Sequence, residues 1–334
     1  MCEKEGRNFM TIIKLALPKG SLEKATYQFF ENAGYTIKGQ TRTYRPIIND
    51  DSISVKILRP QEIPKNIQEG TQDVGISGED WIKENKADVV KLLDLEYGRV
   101  RIVVALPDSN KSKNFSALLR NHIKNKKQLR ISTEYLNLAK QYVMNNEIYK
   151  KKYGNKTPII ITPWFKTGTN KDVEIMFSFG ATEAKPPEEA DVIFDVIETG
   201  STLAQNNLKV IDTIMESSAH LIANKKALKE PKKRQKIYDV LSLCKGVVEA
   251  KSKVHIFMNV KKDNLNQVLA IIPSLESPTI SELSSDEWYS VNTVIPKEEF
   301  LQILPSLRKY AQGLIVHRPG QVLPLNKIYE DEGK

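Results

Sequence analysis

Asp195, Glu198, Thr199, Gly200, Ser201 and Thr202 are the residues whose types and spacing say most about chemistry. They close the stretch DVIFDVIETGSTL from Asp191 to Leu203, in which five of the first seven residues are Val, Ile or Phe. Such a run reads as a short strand buried on both faces. It feeds a loop of small residues, after which Leu203 and Ala204 can open a helix. A loop of this kind at the carboxyl end of a strand aims several backbone N–H groups at one point. Gly200 lets the backbone come close, and the Thr and Ser hydroxyls add donors to the positive end of the helix. That combination is a cradle for a phosphate. Asp195, three residues before the loop, suits ribose hydroxyls or a magnesium ion on the same ligand. A carboxylate for the sugar and a nest of amides for a 5'-phosphate are what a phosphoribosyl diphosphate site needs. An ordinary strand-to-helix turn with a capping Thr has the same local sequence, so the rest of the chain decides.

The elements that must position this loop follow an alternating pattern. Ile12 to Leu17 reads as a strand, and Pro18-Lys19-Gly20-Ser21 as a tight turn into a helix from Leu22 to about Asn32. Lys19 is a second candidate anion contact, with an exposed loop lysine as the alternative. Ser52 to Leu58 reads as a strand leading to Arg59, and Asp73 to Trp81 as a strand, a glycine turn at Gly78 and a helix start. Val89 to Leu95, Arg99 to Leu106 and Arg130 to Thr133 are further strands, with a helix from Glu134 to Met144; Ile159 to Thr162 and Val173 to Met176 are shorter strands or turns. Strands alternating with helices through short loops predict α/β units and parallel sheets, whose ligands sit beyond the carboxyl ends of the strands. Lys19, Arg59, Gly78 and the 198–202 loop would then share one cleft between two lobes.

After Val210 to Ala223 the pattern predicts a long basic helix from about Ala227 to Leu243, and changes after Gly246. Val247 to Val260 reads as a long strand, Asn264 to Ile272 as a helix, Thr279 to Leu283 and Trp288 to Ile295 as strands, Lys297 to Tyr310 as an amphipathic helix and Leu314 to His317 as a last strand. That order, βαββαβ, is ferredoxin-like. It fits a sensing domain as well as an oligomerising one.

Composition bounds the rest. A chain of 334 residues predicts two or three domains, and 40% hydrophobic with 27% charged residues is ordinary for a globular protein. Residues 1 to 10 read as a flexible extension without a secretory signal, the apolar runs are far too short for a membrane helix, and two cysteines offer no disulfide framework. The expectation is a cytoplasmic protein. The net charge of +9 sits in lysine clusters, at Lys124 to Lys127, Lys151-Lys152 and Lys225 to Arg234, with few aromatics between them. Solvated faces and a positive field for polyanionic small substrates explain this better than nucleic acid does. The four histidines lack metal-ligand spacing, and His220 falls in a helical pattern as a packing or surface residue.

The motifs, taken in order, resemble those of the ATP phosphoribosyltransferases in their long form. They are LPKGSL at 17–22, R-x-x-E-I-P at 59–64, DVGISGED at 73–80, RISTEY at 130–135, the loop ending ETGSTL at 203, DTIMESSAHLIA at 212–223 and LESPTI at 275–280. The chain departs from the family at Glu62, where Asp is usual, and at Leu136, where Pro is usual. The resemblance implies a reaction of ATP, through adenine N1, with phosphoribosyl diphosphate, giving N1-(5-phosphoribosyl)-ATP and pyrophosphate with magnesium carried by the substrate phosphates. It implies a two-lobed core similar to periplasmic binding proteins and a C-terminal ferredoxin-like regulatory domain. The boundaries would be 11–104 for the first lobe, completed by about 198–225, then 105–197 for the second lobe, 226–246 for a basic connector and 247–334 for the regulatory domain.

Further implications of the resemblance are histidine as allosteric inhibitor, near Leu275 and Thr279, and a homo-hexamer in equilibrium with dimers. Lys19, Arg59 and Asp195 would be catalytic, and Asp195 with Glu198 to Thr202 would bind phosphoribosyl diphosphate. Arg59, Asp73, Gly78 and Glu174 would shape the ATP side, with Asp73 as apt to orient its loop, and Glu174 to form a structural ion pair, as to touch ligand. The chemistry is consistent with such a set. Displacing pyrophosphate from an anomeric carbon passes through an oxocarbenium-like state, and adenine N1 carries no proton to remove before attack, so no histidine base is needed. The runner-up is a non-catalytic nucleotide- or solute-binding regulator on the same fold.

Overall fold

The computed structural model describes residues 13–39, 43–273 and 277–323. Contacts divide the chain into two compact units, one holding Ile13–Ala25 with Ser54–Glu230, the other Thr26–Ile53 with the chain from Pro231 on. The sequence reading kept 26–53 inside the first lobe; the observed grouping differs because those residues have most of their neighbours in the second unit.

The first unit is built on two sheets. One has five strands in the order Ile53–Leu58, Ile13–Pro18, Val74–Gly78, Ala219–Ala223, Val90–Asp94. The other has seven, in the order Lys166–Thr167, Pro158–Ile161, Asn170–Phe177, Leu129–Thr133, Val192–Ile197, Val100–Pro107, Leu208–Ser217. Both are mixed sheets, not parallel ones, since Ala219–Ala223 and Val100–Pro107 each run antiparallel to both neighbours. Antiparallel strands appear where the chain changes sheets: it leaves the five-stranded sheet after Asp94 and returns between Ser217 and Ala219. The return is therefore later than the expected 198, because Leu208–Ser217 still pairs along the length of Val100–Pro107. His220 lies in a strand, not a helix; it is buried with Nδ1 3.1 Å from the Ser218 carbonyl.

Strand Val192–Ile197 shows how the sequence places the site. Val192 and Phe194 face a core with Phe115, Leu129, Ile131 and Val173, in which Phe194 meets Phe115 and Tyr142 edge-on. Ile193 and Ile197 face a second core with Val103, Ala105, Leu203 and Leu208. By the two-residue alternation of a strand, Asp195 falls on this second face, between two isoleucines. Burying side chains such as Phe194 and Ile193 contributes roughly 1.5–3 kcal/mol each, enough to hold a carboxylate on an apolar face. The helix Phe115–Asn125, begun by the Asn114 side chain accepting from the Ala117 N–H at 2.9 Å, covers the first core and had no counterpart in the sequence reading.

In the second unit the helix Pro231–Lys251 buries Ile237, Val240, Leu241, Cys244, Val247 and Ala250 along one stripe. It runs on through Gly246, past the expected end near Leu243. A methyl group at Gly246 would collide with Leu323, so glycine there answers a packing need and does not mark a stop. Burial pushes the Cys244 thiol up to about 12, leaving it unreactive. The four-stranded antiparallel sheet that follows has the order Thr279–Glu282, Trp288–Pro296, Lys253–Lys261, Ala311–His317. With helices at Leu265–Ile271 and Lys297–Tyr310, this is the expected ferredoxin-like βαββαβ unit. Val254, Ile256, Met258 and Val260 alternate inward against Val268, Ile272 and Leu307.

Candidate active site

Three neighbouring strands of the seven-stranded sheet, Asn170–Phe177, Leu129–Thr133 and Val192–Ile197, are mutually parallel, so their carboxyl ends share one edge. From that edge come the 178–183 segment, Glu134 and the 198–202 loop. Together they line a cleft of about 360 Å³ that includes Glu134, Thr182, Glu183, Asp195, Glu198, Thr199, Gly200, Ser201 and Thr202. Gly200 has φ of +83°, a conformation that strains any residue with a Cβ. It turns the chain into the short helix Ser201–Gln205. Within the loop the Thr199 and Ser201 hydroxyls lie 3.1 Å apart and the Ser201 N–H reaches Thr199 Oγ1 at 3.4 Å. Glu198, Thr199, Ser201 and Thr202 are exposed.

Asp195 is held differently. Its carboxylate accepts the Val196 N–H at 2.7 Å. Burial on the Ile193–Ile197 face, with Glu183 and Glu134 adding negative charge nearby, nevertheless pushes it up to about 7. Burial also raises Glu134. A carboxylate balanced between charge states at neutral pH gains most when ligand hydroxyls donate to it.

A second cavity, of about 600 Å³, opens between the two sheets and is lined by Gln61, Lys65, Trp81, Glu84 and Asn85 from one side and Glu134, Leu136, Asn137, Phe177, Ser178 and Phe179 from the other. Glu134 lines both cavities. A third, of about 410 Å³, is lined by Arg99, Arg101, Glu216 and Ser217 among others, and meets the cradle at Glu198.

Buried polar contacts fix the two sheets relative to each other. Asp80 Oδ1 accepts from the Ser217 hydroxyl at 2.7 Å and Asp80 Oδ2 from the Tyr135 hydroxyl at 2.8 Å, while Tyr135 stacks on Trp81 with centroids 4.5 Å apart. Glu84 accepts the Asn137 and Leu138 N–H groups at 2.8 and 2.9 Å, capping the helix Leu136–Asn145 from the other side of the cleft. Gly78 is required by this joint: a Cβ there would stand 2.1 Å from Asp80 Oδ1.

The structure distributes the expected site residues unevenly. Asp195 and 198–202 converge, as the sequence suggests. Lys19 and Arg59 end neighbouring strands of the other sheet and are held side by side by the Lys19 N–H donating to the Leu58 carbonyl at 2.8 Å, outside the lining of the three cavities described. Asp73 and Gly78 stand at opposite ends of one strand. Asp73 is buried; its carboxylate accepts the Lys14 N–H at 2.9 Å and its carbonyl the Asn224 N–H at 2.9 Å, so it stitches the sheet away from the carboxyl edge. Glu174 is ion-paired with Lys166 at 3.6 Å. Thr279 opens an exposed strand beside Asn292, and Leu275 lies outside the described residues. Glu134, Asp80, Tyr135 and Ser217 were in sight as motif letters without a role; only the fold gives them one.

Comparison with known proteins gives the family. A family model described as ATP phosphoribosyltransferase covers residues 59–246, more than half of the chain, and one described as HisG, C-terminal domain covers 250–318. The chain is 38% identical over 323 residues to the ATP phosphoribosyltransferase of Solibacter usitatus, covering 95% of this chain and 99% of that protein. It is 37% identical over 323 residues to that of Thermodesulfovibrio yellowstonii, covering 95% and 98%. A solved structure described as an ATP phosphoribosyl transferase (HisG:HisZ) complex from Thermotoga maritima superposes with a TM-score of 0.52 at 22% identity, covering 70% of this chain and 95% of that one, and shows the same fold. The chain belongs to the ATP phosphoribosyltransferase family.

Proposed function

We propose that this chain condenses ATP with 5-phosphoribosyl 1-diphosphate, the first step of histidine biosynthesis, at the carboxyl edge of the seven-stranded sheet. The observation that carries the reading is the convergence there of Asp195, Glu134 and the 198–202 loop in one polar cleft. The 5'-phosphate would rest on the amides and hydroxyls of 199–202, with Asp195 accepting from ribose hydroxyls, so that the anomeric carbon faces the cavity between the sheets. Adenine N1 would attack that carbon as pyrophosphate departs. Lys19 and Arg59, side by side beyond the carboxyl ends of two strands of the five-stranded sheet, are the cations assigned to the departing diphosphate.

A divalent ion such as magnesium fits as a companion of the substrate phosphates. The cleft is rich in hard oxygen donors, the kind of group such an ion prefers. When bound it would neutralise polyphosphate charge. The remaining assignments belong to the same proposal: two catalytic lobes followed by a basic connector and a C-terminal regulatory domain, histidine inhibiting through that domain in the region of Leu275 and Thr279, a hexamer exchanging with dimers, and a cytoplasmic location. No helix among the described residues is long and apolar enough to cross a membrane. The test is pyrophosphate release with the absorbance change of N1-substituted ATP, on mixing protein, magnesium and both substrates with and without histidine. Turnover lost in Asp195→Ala supports the cleft; turnover unchanged in that variant removes it. Turnover indifferent to histidine removes the regulatory assignment alone.

A further inference from the structure

Between the parallel strands Asn170–Phe177 and Val192–Ile197 the chain makes its return crossing as irregular backbone, apart from the 3-10 turn Thr182–Ala184. Phe177 pairs with Thr133 and Val192 with Ile131, so residues 178–190 run from the carboxyl edge of the sheet back towards its amino edge. Such a crossing leaves main-chain carbonyls to be satisfied one by one. Its first part enters the site: Gly180, Ala181, Thr182 and Glu183 line the 360 Å³ cradle cleft. They do so through a sharp bend, in which Gly180 has φ of +101° and Ala181 φ of +48°. A left-handed alanine is uphill and persists only where its surroundings over-determine it. On the near side, the Ser178 N–H donates to the Thr133 carbonyl at 2.9 Å and the Ser178 hydroxyl to the Gly180 carbonyl at 2.9 Å. On the far side, Arg130 ties the segment to the sheet. Its Nη1 donates to the Glu188 carbonyl at 2.6 Å, its Nη2 to the Pro187 carbonyl and to Asp191 Oδ1, both at 3.0 Å, and its Nε to Asp191 Oδ2 at 3.3 Å. The backbone adds the Arg130 N–H to Asp191 Oδ2 at 2.8 Å and the Asp191 N–H to the Arg130 carbonyl at 2.9 Å.

Resting on the reading of 198–202 as the ribosyl phosphate cradle, we propose that Arg130 is a positioning residue for phosphoribosyl diphosphate: by clamping residues 187–191 to the sheet, it holds the 180–183 bend against the cradle. The chemistry of the side chain suits the task. A guanidinium presents its donors in a flat fork, so it takes both carboxylate oxygens of Asp191 and two carbonyls at once; an ammonium, with all its donors on one atom, does not span them. Position argues the same way. Arg130 lies three residues before Thr133, roughly 10 Å from the carboxyl edge at about 3.3 Å per residue, and its donors are committed to 187, 188 and 191. It therefore acts through the backbone it holds and not on the ligand. Hydrogen bonds carry the effect from clamp to bend. The Glu189 N–H donates to the Lys185 carbonyl at 2.9 Å, the Lys185 ammonium pairs with Glu189 at 2.9 Å, and the Lys185 N–H donates to the Thr182 carbonyl at 3.2 Å. Release of the clamp lets the left-handed bend relax and removes one wall of the cradle. Gly180 to Glu183 line the cradle cleft and not the 600 Å³ cavity between the sheets, so the loss falls on phosphoribosyl diphosphate rather than on ATP.

The experiment measures kcat, KM for both substrates and thermal unfolding in the full-length wild type, Arg130→Gln and Arg130→Lys, together with hydrogen exchange of the wild type with and without phosphoribosyl diphosphate. Arg130→Gln is expected to raise the phosphoribosyl diphosphate KM by about 10- to 100-fold, with the ATP KM within about threefold of wild type, at a temperature where the variant is folded. Arg130→Lys keeps the charge without the fork, and is expected to stay impaired by at least about fivefold. Phosphoribosyl diphosphate is expected to slow exchange at the 180–183 amides as well as at 199–202. Unchanged KM values with only a lower unfolding temperature make Arg130 a purely structural residue and overturn the proposal. An equal loss for both substrates overturns it as well, and full recovery in Arg130→Lys overturns the clamp by showing that charge alone suffices. Slowed exchange confined to 199–202 removes the bend from the site, a result that needs neither variant to fold. A wild type in which phosphoribosyl diphosphate slows neither segment defeats the cradle reading itself, an outcome separable from the other four.

Discussion

The joint between the two sheets and the phosphate cradle are both polar, yet they are built on opposite terms. In the joint, Asp80, Tyr135 and Ser217 are buried and satisfy one another, and Glu84 spends its carboxylate on two backbone N–H groups. In the cradle, Glu198, Thr199, Ser201 and Thr202 are exposed, and Asp195 is a carboxylate that burial pushes up to about 7. Satisfied buried networks rigidify; exposed donors beside a destabilised acid await a ligand. The joint fixes where the two halves of the cleft stand, and the cradle leaves its donors for substrate. Removing a group from the first should therefore cost stability, and removing one from the second should cost binding.

The sharpest way to break that division is Gly78→Ala. The added methyl would require Asp80 Oδ1 to leave Ser217, uncoupling the sheets and stranding buried hydroxyls. Losing two buried hydrogen bonds to a carboxylate, each about 1.5–3 kcal/mol, predicts a loss of roughly 3–6 kcal/mol in denaturant unfolding. Asp80→Asn should lose less, about 1–3 kcal/mol, because an amide keeps one acceptor for the Tyr135 or Ser217 hydroxyl. If either variant unfolds like wild type but loses substrate affinity, the joint is part of the binding surface and the comparison collapses.

How far this division could be read in advance depends on range. The cradle is local: strand, acid and glycine loop are contiguous from Asp191 to Leu203, so alternation and loop chemistry place it without tertiary information. The ferredoxin-like unit was legible for the same reason, since Lys253–Lys261 alternates cleanly. The joint was not, because Asp80 and Ser217 are 137 positions apart and only the pairing of Ala219–Ala223 with Val74–Gly78 brings them together. Asp73 is a different case. At about 3.3 Å per residue, a strand separates it from Gly78 by roughly 16 Å, so one end could face the cleft but not both. The helix Pro231–Lys251 was cut short ahead of Gly246 by propensity, which the packing of Leu323 on that glycine overrides.

On the cradle side the comparison is sharpened by Asp195→Asn. The folded-state value is raised above the ordinary carboxylate value of 3.8, so ionising Asp195 opposes folding. At pH below about 4 the acid is protonated folded and unfolded, and the variant should match wild type. As pH rises through about 7 the wild type loses stability that the asparagine variant does not, and the variant should be the more stable at about pH 8. Binding should run the other way. Wild-type affinity for phosphoribosyl diphosphate should rise from about pH 6 to about pH 8 as the carboxylate ionises to accept ribose hydroxyls, while the variant should bind weakly with a flat profile, measured by calorimetry at constant ionic strength. Stability and affinity moving in opposite directions with pH is the signature of a group kept unsatisfied for its ligand; if they move together, Asp195 is held as the joint residues are.

The smallest effect expected comes from Lys166→Ala. Lys166 pairs with Glu174 at 3.6 Å, and its side chain is 62% exposed, so the pair should contribute no more than about 0.5 kcal/mol to unfolding. Glu174 had been placed on the ATP side by resemblance, which gives the variant a second readout. If Lys166 serves only to neutralise a partly buried carboxylate, both KM values should stay within about twofold. A clear change in the ATP KM alone would instead make the ion pair a device that orients Glu174 toward the nucleotide, and would extend the ligand-awaiting region along the strand Asn170–Phe177.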